Sequence, residues 1–414
     1  MTRFAQEKPA VVILRSGHHG GLGIARTLGR WGVPVYCMDR DIWETGWSSR
    51  YCHARFLFDF ETDSPDRLLE IGRRIGGRPL LIPTTDDGAI WLADNAGAIE
   101  NEFRFMQAGA ILTRTLCDKA TMQELAGEYG VPVVKSRVPR CREDLRQFAS
   151  ESSFPVMVKA IDVEGMRRLA GGTKFVVHTM HELLALYERA QDGGRPKFLV
   201  QEFIEGDDWM FDGYFDSDSH CQFGITGRKI RRFPSKTGVT SLGVCSANSA
   251  IREITAAFMK AIGYRGIVDI GYRLDRRDGQ YKILDVNPRI GCTFRLFCDA
   301  GGLDVARALY MDLTGQQISA EPAIEGRKWI VEDFDLLSSL RSVWDRSLSP
   351  TEWVHSLRGI NETACFASDD PLPLLFAAVS DCVEFFKWLR RKAGVRTDYA
   401  VLRQPELSAS ERRR

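Results

Sequence analysis

Apolar and polar positions divide the chain into short buried runs separated by turns and helical stretches. Residues 10–14 form an apolar run that stops at the turn Ser16-Gly17-His18-His19-Gly20-Gly21. Residues 22–31 then follow a helical period, and residues 33–38 form a second apolar run ending at Asp39. Strand, glycine turn, helix and strand make a βαβ unit, which predicts a parallel sheet. Residues 80–82 add a buried strand before the polar turn at 83–88, so 1–116 is expected to be a Rossmann-like α/β domain. Asp118 is placed to cap a helix over 118–129. Strands at 131–134, 154–159 and 175–177, with helices at 142–150 and 181–190, suggest a small α+β domain over 117–196. Strand-like runs then fall at 198–204, 210–215, 223–232, 266–274 and 280–286, with helices at 251–262 and 301–314. Asp275-Arg-Arg-Asp-Gly279 joins two of these runs as a hairpin turn, so 197–325 is expected to hold an antiparallel sheet. Residues 326–414 read as a helical extension with a disordered tail. A helix within 373–391, with Asp381, Glu384 and Lys387 along one side, would dock on the core. Its other reading is peripheral membrane contact through Phe385, Phe386, Trp388 and the basic residues that follow.

Composition narrows the partners. The 414 residues are 44% hydrophobic and 27% charged, an ordinary globular balance spread over several domains. A net charge of +1 gives no reason to expect a nucleic-acid partner. No run of about 18 apolar residues exists to span a membrane, and residues 1–9 lack an apolar export core. The 10 cysteines include no C-x-x-C pair, so they read as reduced thiols of a cytoplasmic protein.

The run Tyr281-Lys-Ile-Leu-Asp-Val-Asn-Pro-Arg289 carries the strongest chemical signal. Asp285 and Asn287 are two apart on a strand and so share a face. Both are hard oxygen donors suited to magnesium, and Arg289 is a fork suited to phosphate. The plainer reading is a strand end with a polar turn. Further candidates precede them in order: Lys119, Lys159, the loop Gly171-Gly172-Thr173, then Gln201-Glu202-Phe203-Ile204, Asp208 and Lys229. Lysines neutralise polyphosphate. A glycine loop lets backbone N–H groups approach phosphate oxygens. A strand edge can offer backbone groups to a base. Glycines at 17, 20 and 23, with Asp39 beyond, also admit a dinucleotide-dependent oxidoreductase. Their G-x-x-G-x-x-G spacing differs from the dinucleotide fingerprint, and a tight turn with close helix packing explains them equally.

Taken together, the ordered motifs over about residues 10–315 resemble the ATP-grasp superfamily, in particular carboxylate–amine ligases such as D-aspartate ligase and the synthetase subunit of carbamoyl-phosphate synthase. The resemblance implies an α/β and α+β architecture. It comprises the Rossmann-like domain, a small lid and an antiparallel-sheet domain for ATP and metal. Lys119 and Lys159 would contact the nucleotide phosphates, with the 171–173 loop closing over them. Gln201 or Glu202, with Phe203 and Ile204, would read the adenine, and Asp208 would stand where a ribose-binding acid does. Lys229 or Arg231 would reach the γ-phosphate, and Arg289 would hold the transferring phosphoryl group. Asp285 and Asn287 would bind magnesium, or manganese in its place. Two departures stand out. Asp285 replaces a usual glutamate, and Gly271 stands where a metal-binding acid or amide is common. Asp269, or else Asp275, is expected to supply that ligand.

The implied reaction phosphorylates a small-molecule carboxylate with ATP and passes the acyl group to an amine, with an amino acid expected on one side. The stretch 231–238 would lie over the acceptor site and Arg295 would bind a substrate carboxylate, unless both are surface loops. A non-catalytic ATP-binding regulatory protein is the alternative of another class. A homodimer is among the expected assemblies.

Overall fold

The computed structural model describes residues 8–17, 19–41, 44–170, 172–192, 197–234 and 238–379. Gly171, residues 235–237 and everything from 380 onward, including Asp381, Glu384, Phe385, Phe386, Lys387 and Trp388, lie outside the described residues.

The N-terminal apolar runs pair in parallel. Strands β1 (Val11–Leu14), β2 (Val35–Asp39), β3 (Cys52–Leu57) and β4 (Leu80–Pro83) form a sheet of order β3-β2-β1-β4. β3 escaped the sequence reading because its alternate residues are exposed at the sheet edge. Helix α1 (His19–Gly29) starts three residues earlier than expected, so Gly20 and Gly23 lie inside its first turns while Gly17 stays in the bend before it. A Cβ at Gly23 would sit 2.7 Å from Phe294 and 2.9 Å from Arg295, and one at Gly20 would sit 3.1 Å from the Gly291 carbonyl oxygen. These glycines therefore let α1 pack on the 291–295 loop. Asp39 accepts from the Gly17 amide at 2.9 Å and the Arg40 amide at 2.8 Å. The oxidoreductase reading loses its two supports, since glycines and acid both have structural jobs.

Helix α2 (Lys119–Glu128) leads to a small antiparallel sheet of order β5-β8-β6-β7. Its strands are β5 (Ser136–Arg137), β6 (Val156–Ala160), β7 (Lys174–Val177) and β8 (Phe198–Glu202). Helix α3 (Val163–Ala170) is inserted between β6 and β7. The strand expected at 131–134 is reduced to one bridge between Val133 and Ile283. The sheet has its own core, including Phe148, Val158, Tyr187 and Val200.

The large sheet has seven strands in the order β13-β12-β9-β10-β11-β14-β15. They are β9 (Asp208–Phe215), β10 (Cys221–Phe233), β11 (Val239–Cys245), β12 (Gly266–Asp275), β13 (Gln280–Asn287), β14 (Lys328–Ile330) and β15 (Ile360–Thr363). Helix α4 (Val305–Leu313) packs on β9, β10 and β12. The extension beyond 325 is thus not simply helical: it adds β14 and β15 to the sheet, beside helix α5 (Glu332–Trp344). One apolar core joins the two larger units, with Val11, Ile13, Ile24 and Leu28 meeting Tyr214, Phe294, Phe297 and Trp329. The extension is tied back by Arg26, whose buried guanidinium donates to Asp370 at 3.0 Å and to the carbonyls of Ala364 and Cys365. No helix among the described residues is long and apolar enough to cross a membrane.

Candidate active site

β13 presents Asp285 and Asn287 on one face, as its two-residue period requires. β12 lies antiparallel beside it, pairing Asp269 with Asn287 and Gly271 with Asp285. The Asp285 carboxylate leans over the glycine, for a Cβ at Gly271 would lie 2.2 Å from its Oδ1. Asn287 Nδ2 donates to Asp269 Oδ2 at 3.3 Å, and Asn287 Oδ1 accepts from Arg289 at 3.1 Å. Arg289 also donates to Asp86 at 3.0 Å, tying the end of β13 to the start of the helix that follows β4. Burial would weaken the charge of Arg289, but Asp86 and Asp269 outweigh it and hold the guanidinium above its ordinary value.

Four lysines converge on Asp285 from separate elements. Asp118 caps α2 by accepting from the amides of Ala120 and Thr121, and so sets Lys119 at the helix start. Lys119 Nζ reaches the Ala160 carbonyl at 3.2 Å. Lys159, near the end of β6, is buried with Nζ 3.5 Å from the Leu284 carbonyl. Lys174 opens β7 directly opposite Lys159, and Lys229 comes from β10. Burial alone would raise the Asp285 carboxyl. Lys174, Lys229, Lys159 and Lys119 more than offset that and hold it below its ordinary value. Burial in turn pushes the Lys159 ammonium down to about 7, against the pull of Asp285.

A pocket opens between the small and large sheets, lined by Lys159, Lys174, Gln201, Phe203, Lys229 and Asp285 among others. Gln201 is buried and its Nε2 has no partner among the described residues, whereas Glu202 pairs with Arg277. Of the two candidates, Gln201 therefore keeps a donor to offer. Arg273 donates to the Ile204 carbonyl at 3.0 Å and lies over the Phe203 ring, which fixes this edge of the pocket. Gly172 and Thr173 precede β7, and Thr173 accepts from the Ala160 amide at 2.7 Å.

Several sequence-derived residues are placed elsewhere or otherwise engaged. Arg231 does not join Lys229. A bulge between them breaks the two-residue period, and Arg231 turns to Asp335 with bonds of 2.8 and 2.9 Å. Arg295 is also no substrate ligand. It is buried against Asp304, Thr27 and Glu362. Asp275 is excluded as the metal acid, because Arg277 and Lys282 hold its carboxylate at the hairpin. Asp208 lines the pocket, but both its oxygens are taken by Arg232 and Arg273. Asp269 stays on the site face, two pairing rows from Asp285.

Sequence reasoning missed Lys174, Arg232, Arg273 and Asp212. Lys174 falls between the 171–173 loop and the strand expected at 175–177, and only its register with Lys159 reveals it. Asp212 pairs with Asp269 from β9 and is fully buried, with neither carboxylate oxygen partnered among the described residues. Burial first, and then Asp269, push its carboxyl well above the ordinary value.

The donors can be tested against a nucleotide and magnesium. Four lysines around one carboxylate give the pocket an edge suited to a polyphosphate, whose charge would favour the protonated form that burial withdraws from Lys159. Among the described residues no three His, Cys, Asp or Glu side chains form a metal-ligand group. Magnesium bound with a nucleotide needs no such cage, since one or two carboxylates with phosphate oxygens suffice. Asp285, ionised and beside Asn287, meets that requirement.

The family model described as "Carbamoyl-phosphate synthase L chain, ATP binding domain" matches residues 227–317. The chain is 26% identical over 245 residues to a D-aspartate ligase of Enterococcus faecium (strain Aus0004), covering 56% of this chain and 58% of that protein. It is 25% identical over 236 residues to the N-terminal section of a Methanopyrus kandleri carbamoyl phosphate synthase large chain, covering 50% and 40%. The chain thus spans well under two thirds of these relatives. Among solved structures, the Staphylococcus aureus N5-carboxyaminoimidazole synthetase with ADP superposes with a TM-score of 0.62 at 13% identity, covering 82% of this chain and 87% of the other. The biotin carboxylase domain of Hydrogenobacter thermophilus 2-oxoglutarate carboxylase, with MgADP and bicarbonate, gives 0.58 at 16% identity, covering 78% and 73%.

Proposed function

Because the chain belongs to the ATP-grasp superfamily, we propose that it is an ATP-dependent carboxylate–amine ligase that forms an amide and releases ADP and phosphate. The observation that carries this reading is the convergence of Lys119, Lys159, Lys174 and Lys229 on Asp285 beside the Gln201–Ile204 edge. A carboxylate is a poor electrophile, and phosphorylation gives it a leaving group. Bringing two anions together is then the main barrier, so catalysis is largely positioning and charge stabilisation. Lys119, Lys159 and Lys174 hold the nucleotide phosphates, and Lys229 and Arg289 steady the phosphoryl group in transfer. Gln201 and the backbone of Phe203 and Ile204 read the adenine. Asp285 and Asn287, with Asp269 from the neighbouring strand, hold the cation. Magnesium, or manganese, supplies positive charge between phosphate oxygens.

The small sheet with α3 and the glycine loop closes over the site and keeps water from the acyl phosphate. The amine attacks its carbonyl carbon, the C–N bond forms as the nitrogen gives up a proton, and phosphate leaves with the electrons of the C–O bond and takes up that proton. The substrates are small molecules, at least one of them an amino acid, and the reaction runs where ATP is supplied, in the cytoplasm.

A second reading has one observation behind it. Gly271 opposite Asp285 leaves the metal shell short of a ligand, as a non-catalytic ATP-binding protein would allow. ADP release with pooled D- and L-amino acids separates the two. ADP formation that needs both a carboxylate and an amine, and falls at least about a hundredfold in Asp285→Ala and Lys159→Ala, supports the ligase. ATP binding without turnover supports the regulatory reading, and unchanged turnover in both variants removes the site assignment.

A further inference from the structure

The pocket between the two sheets has a phosphate end, marked by the lysines around Asp285, and a base end, marked by the Gln201–Ile204 edge. The ribose of a nucleotide joins the two, so it rests on whatever stands between them. Asp208 stands there. It opens β9 in register with Arg273 of β12, and Arg273 reaches on to the Ile204 carbonyl and lies over the Phe203 ring. On the other side of β9, β10 pairs Arg228 with Trp209, which brings Lys229 beside Asp208, and both line the pocket. One neighbour of Asp208 thus leads to the base and the other to the phosphates.

A carboxylate offers about four acceptor sites. Arg273 takes Oδ1 of Asp208 twice, through Nε at 2.7 Å and Nη2 at 2.6 Å. Arg232 takes Oδ2 through Nη1. The Asp208 side chain is only 7% exposed. Glu202, the acid on the base edge, is likewise held, by Arg277. These bonds change what Asp208 can report about a sugar. A site rejects an analogue that lacks a hydroxyl when the group built to bond that hydroxyl is left buried and unpaired. Asp208 keeps both arginines whether or not a hydroxyl is present. To take a hydroxyl in place of a guanidinium it would exchange a bond charged on both sides for a weaker one. The spare guanidinium N–H groups donate to water about as well as to a ribose hydroxyl. Removing the hydroxyl therefore orphans nothing.

We propose, resting on the ATP-dependent reading above, that this site does not select the sugar of its nucleotide: it takes 2′-deoxy-ATP as well as ATP, because Arg232 and Arg273 hold the acid at the ribose position. Arg232 is then the residue that sets sugar specificity. It comes from the far end of β10, beyond the bulge that turns Arg231 away, and it is the sole partner of Oδ2 among the described residues.

Titration calorimetry on the full-length protein with magnesium carries the test, since it reads nucleotide binding without the ligase substrates. ATP and 2′-deoxy-ATP should bind the wild type within about fivefold of each other. A larger preference for ATP overturns the proposal, and this wild-type ratio decides by itself if the variant does not fold. Arg232→Met strips Oδ2 of its partner, so the freed oxygen gains from a hydroxyl and a preference for ATP of about tenfold or more should appear. A variant that binds both nucleotides in the wild-type ratio also overturns the proposal, because the arginine would not be what silences Asp208. The two levels of failure stay distinct. Binding of ATP but not of 2′-deoxy-ATP refutes the sugar inference and leaves the ATP reading in place. Binding of neither nucleotide refutes the ATP reading, and the sugar inference falls with it.

Discussion

Lys159→Met tests whether the pocket floor is built to receive negative charge. The wild-type side chain is 8% exposed, and burial pushes its ammonium from 10.5 to about 7 while Asp285 opposes the fall. That drop corresponds to about 5 kcal/mol between the two protonation states. Below about pH 7 the lysine is charged in both folded and unfolded chains, and the fold carries the whole penalty. Between about 7 and 10.5 the unfolded chain keeps a proton the folded one has released, so stability rises with pH. Above 10.5 neither is charged and the penalty is gone. A polyphosphate restores the charge. At pH 8 a group titrating near 7 is about nine-tenths neutral, so ATP binding should draw in about 0.9 proton, falling to about 0.1 at pH 6. Titration calorimetry in two buffers of different ionisation enthalpy counts those protons. In Lys159→Met the uptake at pH 8 should vanish, ATP should bind at least about tenfold more weakly, and the empty protein should be more stable at pH 7. Equal proton uptake in variant and wild type, or none in wild type at pH 8, would refute the reasoning.

Lys174→Met should lower kcat/KM for ATP about tenfold or more, because one of four cations facing Asp285 is lost; ADP release at varied ATP reads it. Gly23→Ala forces a methyl into Phe294 and Arg295 and should cost about 1–3 kcal/mol in denaturant melts, with ATP affinity retained in the folded fraction. Arg26→Met leaves Asp370 buried without its cation and should cost about 3–5 kcal/mol, partly recovered when Asp370→Asn is added.

What was legible in the sequence was whatever one strand or one helix encodes by itself. Asp285 and Asn287 share a face because a strand repeats every two residues, and Lys119 follows a capping aspartate. What was illegible depends on pairing between strands. Lys174 enters the site through its register with Lys159, 15 residues away in sequence. Arg231 leaves it through a bulge that no local pattern announces. Arg295 looked like a free substrate fork because Glu362 and Asp304 reach it only after folding. The strands beyond 325 were hidden by brevity: β14 has three residues and borrows its stability from β11.

The apolar core shared by the parallel sheet and the large sheet has a thermodynamic consequence. Reading along the chain suggests three successive units before the extension. Melting should recognise two. Val11, Ile24, Phe297 and Trp329 lose their neighbours together, so the first domain, the large sheet and the extension through residue 379 unfold as one cooperative block. The small sheet, with its separate core, is an independent block inserted between the halves of the other. A calorimetric trace should resolve into a minor and a major transition, and ATP, bound by lysines from both, should draw the two together.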